Sequence, residues 1–428
     1  MEELLHYVWR HKMFPLEPLK TTLGKSVEVI DPGLPNANAG PDFFNAKLKI
    51  DGMMWVGNVE VHLRASDWNL HGHQHDPLYA NVILHVVEVD DAEIVRADGE
   101  KIPQLVLACP PGVKERYNEL KHTESFPPCY AVLPSLSRLT IHSWYSALQV
   151  ERFQQKAEAI LKRLHRLDEN WEDTFMVTLA RNYGFGLNGD AFEQWASRLN
   201  FSAVNKHRDN LFQVEAFFFG QAGLLNDVPA DADEYYSALR KEYQYLKQKF
   251  TLPEPVEVSS WRMLRLRPGN FPHIRIAQLA SLYHRTESLF SQIIEADSME
   301  RIKSLLSAQP SAYWKEHYVF NKKSVSAEKK VSDSSLNLML INTAIPLLYA
   351  YGMHRGNEGL CERATSFLDS LKAENNYIIR MWANAGLEVR CAADSQALIQ
   401  LKKEYCDKKD CLRCRFGFEY LKGKRQSL

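Results

Sequence analysis

The chain has 428 residues, of which 45% are hydrophobic and 25% are charged, and its formal net charge is −1. These values exclude a disordered chain, because disordered segments combine low hydrophobicity with high net charge. The N-terminus lacks the apolar core and cleavage site of a signal peptide, and no uninterrupted apolar run is long enough for a membrane helix. We therefore expect a cytoplasmic protein that does not contact a membrane.

The first hundred residues combine a helix with several strands. A stripe of apolar residues predicts a helix over residues 2–13. Four strands are predicted, at residues 26–30, 43–50, 54–63 and 82–89. Asp51-Gly52 joins the second and third of these as a tight hairpin turn. A short helix near residues 77–80 precedes the fourth strand, so the order is helix, three strands, short helix, strand.

From about residue 135 the apolar residues recur with the helical period. Ten helical segments are predicted: 141–167, 171–182, 190–199, 211–225, 234–250, 274–293, 299–307, 336–351, 376–385 and 395–404. The predicted fold is therefore an α+β domain over residues 1–130, with a mixed sheet flanked by helices, and a larger all-α domain over residues 131–428.

Two acidic residues and a histidine mark a candidate site in the predicted hairpin. Asp42 opens one strand, and Glu60 and His62 lie near the end of the next. Because side chains alternate along a strand, Glu60 and His62 share a face. The hairpin brings Asp42 towards Glu60, and two carboxylates with an imidazole can hold a divalent cation and position a water molecule.

These features resemble the PD-(D/E)xK nuclease superfamily, which has the restriction-endonuclease-like fold. The resemblance covers Asp42, the hairpin, Glu60-Val61-His62 and the order of helices and strands. It implies that Asp42, Glu60 and the backbone carbonyl of Val61 bind Mg²⁺ or Mn²⁺. His62 stands where that superfamily has the lysine that orients the attacking water, so Asp42, Glu60 and His62 are the predicted catalytic residues.

The whole chain also resembles an uncharacterised bacterial family. The shared segments are AGPDF, GNVEVH, SDW and VILHVV, at residues 39–43, 57–62, 66–68 and 82–87. This resemblance indicates a defined N-terminal module and implies no activity.

Histidines are concentrated between the two last strands of the module. His71, His73 and His75 alternate in HGHQHD, and His85 lies inside the apolar strand VILHVV. One interpretation places His71, His73 and His85 around the Asp42 and Glu60 site as further ligands or proton carriers, and an extended run of alternating histidines could also bind zinc. The other is a polar loop whose histidines cap turns, with His85 as a core residue.

Seven cysteines without a secretion signal predict reduced thiols. Three of them, Cys406, Cys411 and Cys414, lie within nine residues and form a second candidate metal site, for Zn²⁺ or an iron–sulfur cluster. Cys391 is the obvious fourth ligand, although the helix predicted at 395–404 would hold it away from Cys406. The alternative is a buried thiol cluster.

The near-neutral charge conceals two opposed regions. Residues 1–105 carry 9 basic and 16 acidic side chains, whereas residues 402–428 carry 9 basic and 4 acidic ones. An acidic module repels a polyanion, so basic residues elsewhere must supply nucleic-acid binding. The candidates are Arg262, Arg265, Arg267 and Arg275 in an acid-free segment, and Arg413 and Arg415 among aromatic residues of the basic tail.

The leading functional hypothesis is a metal-dependent, nuclease-like protein that acts on or binds DNA or RNA. One alternative is a catalytically inactive scaffold of the same fold that binds nucleic acid or protein. Another is a zinc-dependent hydrolase that uses His71, His73 and His85. The sequence predicts no oligomeric state.

Overall fold

A computed structural model describes residues 1–14, 17–36, 38–96, 98–227 and 229–423. Residues 424–428, at the end of the predicted basic tail, lie outside the described residues. The chain divides into two compact units. The first unit comprises Met1–Trp144, Met381–Leu387 and Leu401–Leu428, and the second comprises Tyr145–Arg380 and Glu388–Gln400. The last 28 residues are thus assigned to the same unit as the N-terminal module.

A mixed sheet forms the centre of the first unit. Its strands are β1 (Leu19–Lys20), β2 (Ser26–Asp31), β3 (Leu34–Pro35), β4 (Phe43–Ile50), β5 (Met53–Arg64), β6 (Val82–Val89) and β7 (Gln104–Val106). The strand order is β1-β2-β4-β5-β6-β7, with β3 also paired to β4. The pairs β5–β6 and β6–β7 are parallel, and the other pairs are antiparallel.

The two edges of this sheet approach each other. Thr21, which follows β1, forms an isolated antiparallel bridge with Leu105 of β7. The backbone N–H of Thr22 also donates to the carbonyl of Gln104 at 2.9 Å. The sheet is therefore nearly closed and barrel-like, which reduces the number of unpaired backbone groups at its edges.

The β4–β5 hairpin has the predicted Asp51-Gly52 turn, followed by an unpredicted bulge. Both turn residues have positive φ, 51° and 80°, as this tight turn requires. Next to the turn, Ile50 faces Met53, but the register shifts between Phe43 and Ala46. Asn45, with φ of 56°, is inside this β-bulge.

Helices and turns cover the sheet in the first unit. They are α1 (Glu2–Arg10), α2 (Asp67–Leu70), the 3₁₀ turns His73–His75 and Pro77–Tyr79, α3 (Pro111–His122), the 3₁₀ helix Tyr130–Ser135 and the start of α4 (Arg138–Arg166). The apolar side of α1 is buried, and α1 and α2 both pack against β5. Trp68 of α2 is fully buried and contacts Tyr79 edge to face.

The C-terminal segment of the first unit is folded rather than a free tail. A π-helical turn (Leu401–Cys406) is followed by the 3₁₀ helix Cys411–Arg413 and by the last α-helix, Arg415–Lys422. This last helix packs against α3 and against Tyr130–Ser135. Arg116 of α3 donates to the carbonyl of Leu421 at 2.9 Å.

The second unit is almost entirely helical. Beyond the remainder of α4, its helices are α5 (Trp171–Tyr183), α6 (Gly189–Ala196), α7 (Phe201–Asn205), α8 (Leu211–Gln221), α9 (Glu234–Lys249), α10 (Pro272–Arg285), α11 (Leu289–Glu295), α12 (Met299–Leu306), α13 (Asp333–Met339), α14 (Ile345–Arg355), α15 (Glu358–Ser370), the start of α16 (Tyr377–Asn384) and α17 (Ala392–Gln400). A small hairpin joins β8 (His317–Val319) and β9 (Lys322–Lys323). The predicted fold class is confirmed in two respects: the N-terminal part contains a mixed sheet, and the C-terminal half is helical.

One helical stretch of the second unit, Asp333–Arg355, is long and apolar enough to cross a membrane by length and composition. Within the protein, 67% of its apolar window is buried. Because the core helix of a soluble protein meets the same criterion, this stretch is weak evidence for a membrane span.

Candidate metal site in the first unit

Asp42 and Glu60 lie side by side at the open end of the β4–β5 hairpin. The backbone N–H of Asp42 donates to Oε2 of Glu60 at 3.1 Å. The backbone N–H of Val61 in turn donates to Oδ2 of Asp42 at 3.0 Å. Each carboxylate is therefore oriented by the main chain of the other strand.

Burial of this carboxylate pair disfavours its charged form. Only 4% of Glu60 is exposed. Burial, and secondarily the charge of Asp42, raises the pKa of Glu60 to about 9. Burial also raises the pKa of Asp42. A bound cation would offset this cost, because it replaces the lost hydration of the two carboxylates.

Three histidines join Glu60 from the same side. Nε2 of His62 and Nε2 of His73 each lie 3.4 Å from Oε1 of Glu60. Nδ1 of His71 lies 3.2 Å from Nε2 of His62. One ring nitrogen from each of His62, His71 and His73 lies within 4.8 Å of the other two. These residues are called the His cluster below.

The His cluster has the donor spacing of a metal site. Two ligands about 2.0–2.1 Å from a tetrahedral zinc ion lie about 3.4 Å apart, close to the distances between Glu60, His62 and His71. Burial, and then the neighbouring imidazoles, lowers the pKa of His62 to about 2, and burial lowers that of His73. Both rings are therefore neutral at physiological pH, which is the form that binds metal.

His85 lies behind His62 on the parallel strand β6. It is fully buried, and its Nε2 lies 2.8 Å from Nδ1 of His62. When Nε2 of His62 is left free for a ligand, its Nδ1 carries the proton and donates to His85. Metal-binding histidines are commonly oriented by such a bond, so His85 is positioned to orient His62 and not to be a ligand itself beside His71 and His73.

His6 of α1 joins the site and was not predicted. Its Nε2 lies 3.4 Å from Oδ2 of Asp42 and 3.4 Å from the carbonyl oxygen of Val61. The proposed carbonyl ligand of Val61 therefore faces the same space as Asp42 and His6. The only sequence signal for His6 is its position beside the apolar stripe that packs α1 on β5.

His75 lies outside this arrangement. It ends the 3₁₀ turn His73–His75 and is exposed. The alternating histidines thus do not form an extended strand, and zinc binding by alternation along a strand, one of the predicted interpretations, is wrong.

Comparison with known proteins identifies the family of this chain. Residues 2–377 match the family described as Protein of unknown function (DUF2851). The chain belongs to this family. The predicted resemblance to an uncharacterised family is thereby confirmed. No curated protein and no solved structure matches the chain.

The DUF2851 match includes every residue of the metal site but ends before the C-terminal segment of the first unit. That segment forms one wall of a pocket of about 280 Å³ beside Asp42. The pocket is lined by Glu3, His6, Tyr7, Arg10, Pro35, Asn36, Asp42, Phe43, Asp410, Leu412 and Arg413. Two guanidinium side chains therefore lie around the space next to a metal-site carboxylate.

A second pocket of the DUF2851 chain, of about 680 Å³, shares part of its wall with the first. The shared residues are Glu3, Asp410 and Leu412. The second pocket adds Tyr117, Lys121, His122, Lys408 and Lys409. The combined lining of the two pockets is called the basic groove below, because its basic residues Arg10, Lys121, Lys408, Lys409 and Arg413 outnumber its acids Glu3, Asp42 and Asp410.

The predicted arginines of the C-terminal segment have different positions. Arg413 lines the pocket beside Asp42 and pairs with Asp410 at 3.2 Å. Arg415 instead donates to Oγ of Ser143 at 2.7 Å and lies over the ring of Trp144. Arg413 is thus the better placed of the two to contact a substrate in the basic groove.

The remaining predicted arginines belong to the second unit. Arg262, Arg265 and Arg267 are exposed on the loop before α10. Arg275 is only 5% exposed, and its guanidinium donates to Asn270 and Gln278. The predicted phosphate-binding role of Arg275 is therefore wrong, because its side chain is enclosed in the core of the helical unit.

Proposed function

We propose that this DUF2851 protein is a metal-dependent nuclease whose metal is held by Asp42 and Glu60 together with histidines. The observation that carries the proposal is a carboxylate pair, with Glu60 buried and Asp42 partly buried, whose ion-pair partners are histidines. His6 lies beside Asp42, and His62 and His73 lie beside Glu60. Buried acids without a lysine or arginine partner are typical of a site that takes a cation.

The order of elements supports the resemblance to the PD-(D/E)xK superfamily. Helix α1 is followed by the antiparallel strands β2, β4 and β5, and then by short helical turns and the parallel strand β6. Asp42 precedes β4 and Glu60 lies in β5, as the resemblance implies. The proposal therefore includes a restriction-endonuclease-like core in the first unit.

The donor set indicates which metals to test. Carboxylates and a carbonyl suit Mg²⁺ and Mn²⁺, whereas imidazoles favour Zn²⁺ and Mn²⁺ over Mg²⁺. We therefore propose Mn²⁺ or Zn²⁺ ahead of Mg²⁺, bound by Asp42, Glu60 and members of the His cluster. The bound ion would polarise the scissile phosphate and lower the pKa of a nearby water.

The chain supplies positive charge at a different place from the superfamily's lysine. His62 is neutral at physiological pH because its pKa is lowered to about 2, so it offers a nitrogen lone pair and no fixed charge. Arg10 and Arg413 line the pocket beside Asp42. Their guanidinium groups would bind the phosphate bidentately and hold it against the metal site.

The basic groove favours a polynucleotide over a small substrate. It continues from the pocket beside Asp42 to Lys121, Lys408 and Lys409. A row of basic side chains that leads to the reacting centre is expected for a chain of phosphates. These basic groups come from α3 and the C-terminal segment, so they supply the positive charge that the acidic residues 1–105 lack.

Cleavage assays with isosteric variants test the proposal. The purified chain is incubated with plasmid, single-stranded DNA or RNA in Mg²⁺, Mn²⁺ or Zn²⁺, and Asp42→Asn and Glu60→Gln are compared with Glu28→Gln, an exposed acid on β2. We expect metal-dependent cleavage that falls at least 100-fold in the first two variants and not in the control. Equal cleavage by all variants, or cleavage that survives chelation, contradicts the proposal. Binding without cleavage in any metal favours the scaffold alternative.

The His cluster also supports a second candidate, a zinc-dependent hydrolase of a small molecule. The convergence of His62, His71 and His73 is the observation in its favour. Hydrolysis of bis(p-nitrophenyl) phosphate with Zn²⁺, together with no cleavage of any polynucleotide, distinguishes this function from a nuclease.

A further inference from the structure

Four cysteines of the first unit are positioned around one region of its C-terminal segment. Each lies at the end of a short helical element: Cys129 before Tyr130–Ser135, Cys406 at the end of the π turn, Cys411 at the start of Cys411–Arg413, and Cys414 before the last helix. The 3₁₀ helix after Cys129 packs against the last helix. The π turn packs against Cys411–Arg413. The element ends that carry the four thiols therefore converge.

The four thiols are largely buried and reduced. Cys129, Cys411 and Cys414 are buried, Cys406 is partly buried, and all four are free. Burial raises the pKa of each thiol, and charge on Cys414 and Cys411 raises those of Cys129 and Cys406 further.

The turn that carries Cys411 and Cys414 is closely packed. A Cβ atom at Gly417 would lie 2.1 Å from the carbonyl oxygen of Cys411, so the turn cannot keep this geometry with a larger residue. Gly417 therefore allows the start of the last helix to lie directly against Cys411.

We propose that Cys129, Cys406, Cys411 and Cys414 hold an iron–sulfur cluster. The spacing of the last three, with four and then two intervening residues, is used together with a distant fourth cysteine in iron–sulfur proteins. A single Zn²⁺ does not fit, because it needs its thiolates closer together and no three of these sulfur atoms, all of them in described residues, lie within 4.8 Å of one another. Cys129 replaces Cys391, the fourth ligand predicted from sequence. Cys391 is separated from Cys406 by the continuous helical run of α17 and the π turn.

This metal centre would fix a wall of the basic groove. Asp410 and Leu412 line both of its pockets, and Arg413 lines the pocket beside Asp42. These residues lie in the turn held between Cys406 and Cys414. The centre would thus anchor the C-terminal segment to Cys129, about 280 residues earlier in the chain.

Metal content separates this site from the His cluster. The chain is purified without oxygen, and zinc, iron and acid-labile sulfide are measured together with the visible absorbance spectrum. We expect iron with a matching amount of acid-labile sulfide and absorbance near 400 nm. This metal is expected to persist in the His71→Ala/His73→Ala double variant and in Cys361→Ser. It is expected to be lost in Cys129→Ser and in Cys414→Ser.

A measurement on a chain with all its cysteines intact covers the case in which the cysteine variants do not fold. An organomercurial reagent is titrated into the His71→Ala/His73→Ala chain, and released metal is measured with a chromogenic chelator. Release in step with modification of about four thiols is expected, because metal binding keeps those thiols ionised and protected. The proposal is overturned if the chain takes up no iron after incubation with Fe²⁺ and sulfide. It is also overturned if the metal persists in every cysteine variant.

Discussion

The main-chain N–H of Asp42 donates to the side-chain carboxylate of Glu60 across the β4–β5 hairpin, at 3.1 Å. The carboxylate of Asp42 accepts a similar bond of 3.0 Å from Val61. Because the donors are backbone groups of paired strands, the two acids are held in place by the sheet. Such preorganisation lowers the cost of arranging ligands when a cation binds.

The first prediction concerns the stability of the metal-free chain. The pKa of Glu60 is raised to about 9 in the folded state, from an ordinary value of 4.5. The folded state therefore binds this proton more tightly than the unfolded state does. The contribution of Glu60 to stability is complete below about pH 4.5 and is lost as the pH rises towards 9. In the presence of a chelator, the melting temperature of the wild type should fall between about pH 7 and pH 9. Below about pH 7 the lowered pKa values of His62 and His85 make stability change in the opposite direction.

Glu60→Gln should flatten this pH dependence, because its amide imitates the protonated acid. At pH 8 the metal-free variant should be more stable than the wild type by roughly 2–4 kcal/mol. A residual slope is expected from Asp42, whose pKa is also raised. With saturating Mn²⁺ the order should reverse, since the ion binds the ionised carboxylate. Identical pH profiles for the two chains would show that Glu60 is not protonated in the fold.

The second prediction concerns metal preference. His73→Ala removes a nitrogen that lies 3.4 Å from Glu60, and His71→Ala removes one that lies 3.2 Å from His62. Each change should weaken Zn²⁺ or Mn²⁺ binding by about 10–100-fold in isothermal titration calorimetry, with little effect on Mg²⁺, which prefers oxygen ligands. His75→Ala is the matched control, since His75 is exposed outside the cluster. Zinc affinity unaffected by both changes would remove these histidines from the ligand set.

The approach of Asp42 to Glu60 could be predicted because its main signal is local. The Asp51-Gly52 dipeptide identifies the turn, and alternation identifies the two strands. The register at the turn alone would place Asp42 opposite Val61, on the wrong face. The bulge at Asn45 shifts the pairing by one residue, so that Asp42 lies opposite Glu60. No sequence signal that we used predicts that bulge.

The partners that sequence reasoning missed come from distant parts of the chain. His6 reaches the carbonyl of Val61 across 55 residues, and the 3₁₀ helix after Cys129 packs against the helix after Cys414, 285 residues later. Tertiary packing decides which helix contacts which strand. The spacing of residues along the chain does not predict these contacts. For Arg275 the error has the opposite sense. The acid-free segment predicted an exposed side chain that binds phosphate, but the side chain is buried in the helical unit.

The third prediction concerns His85, which would affect metal binding only through its hydrogen bond with His62. His85→Phe leaves Nδ1 of His62 without its 2.8 Å partner, so the ligand ring loses its orientation. Metal affinity should fall about 10-fold or more, although His85 itself contacts no ligand position. His85→Gln, whose amide can accept the same hydrogen bond, should recover most of the affinity. A Gln variant as weak as the Phe variant would indicate that the ring of His85 is required for packing alone.

The fourth prediction concerns substrate binding in the basic groove. Arg413→Ala removes a guanidinium from the pocket beside Asp42. The dissociation constant for single-stranded DNA should rise, and the slope of log affinity against log salt concentration should decrease by about one. Lys101→Ala is the control, because this exposed lysine of the same unit is paired with Glu93 outside both pockets. An unchanged salt slope in Arg413→Ala would exclude a phosphate contact.

The last prediction concerns the close packing of β5 against β6. A Cβ atom at Gly57 would lie 2.4 Å from a side-chain carbon of Ile83 and 2.8 Å from the carbonyl oxygen of Asn81. Gly57→Ala must therefore push the two strands apart and should destabilise the first unit by about 1–3 kcal/mol. Hydrogen–deuterium exchange of β5 and β6 peptides, followed by mass spectrometry, measures this loss locally.

The same displacement should reach the metal site, because Glu60 and His62 follow Gly57 on β5 while His85 lies on β6. Metal affinity in Gly57→Ala should fall together with exchange protection. Gly269→Ala is the matched control, since a Cβ atom there meets no neighbour and its φ is not in the left-handed region. Faster exchange in β5 with unaltered metal affinity would mean that the site does not depend on the β5–β6 contact.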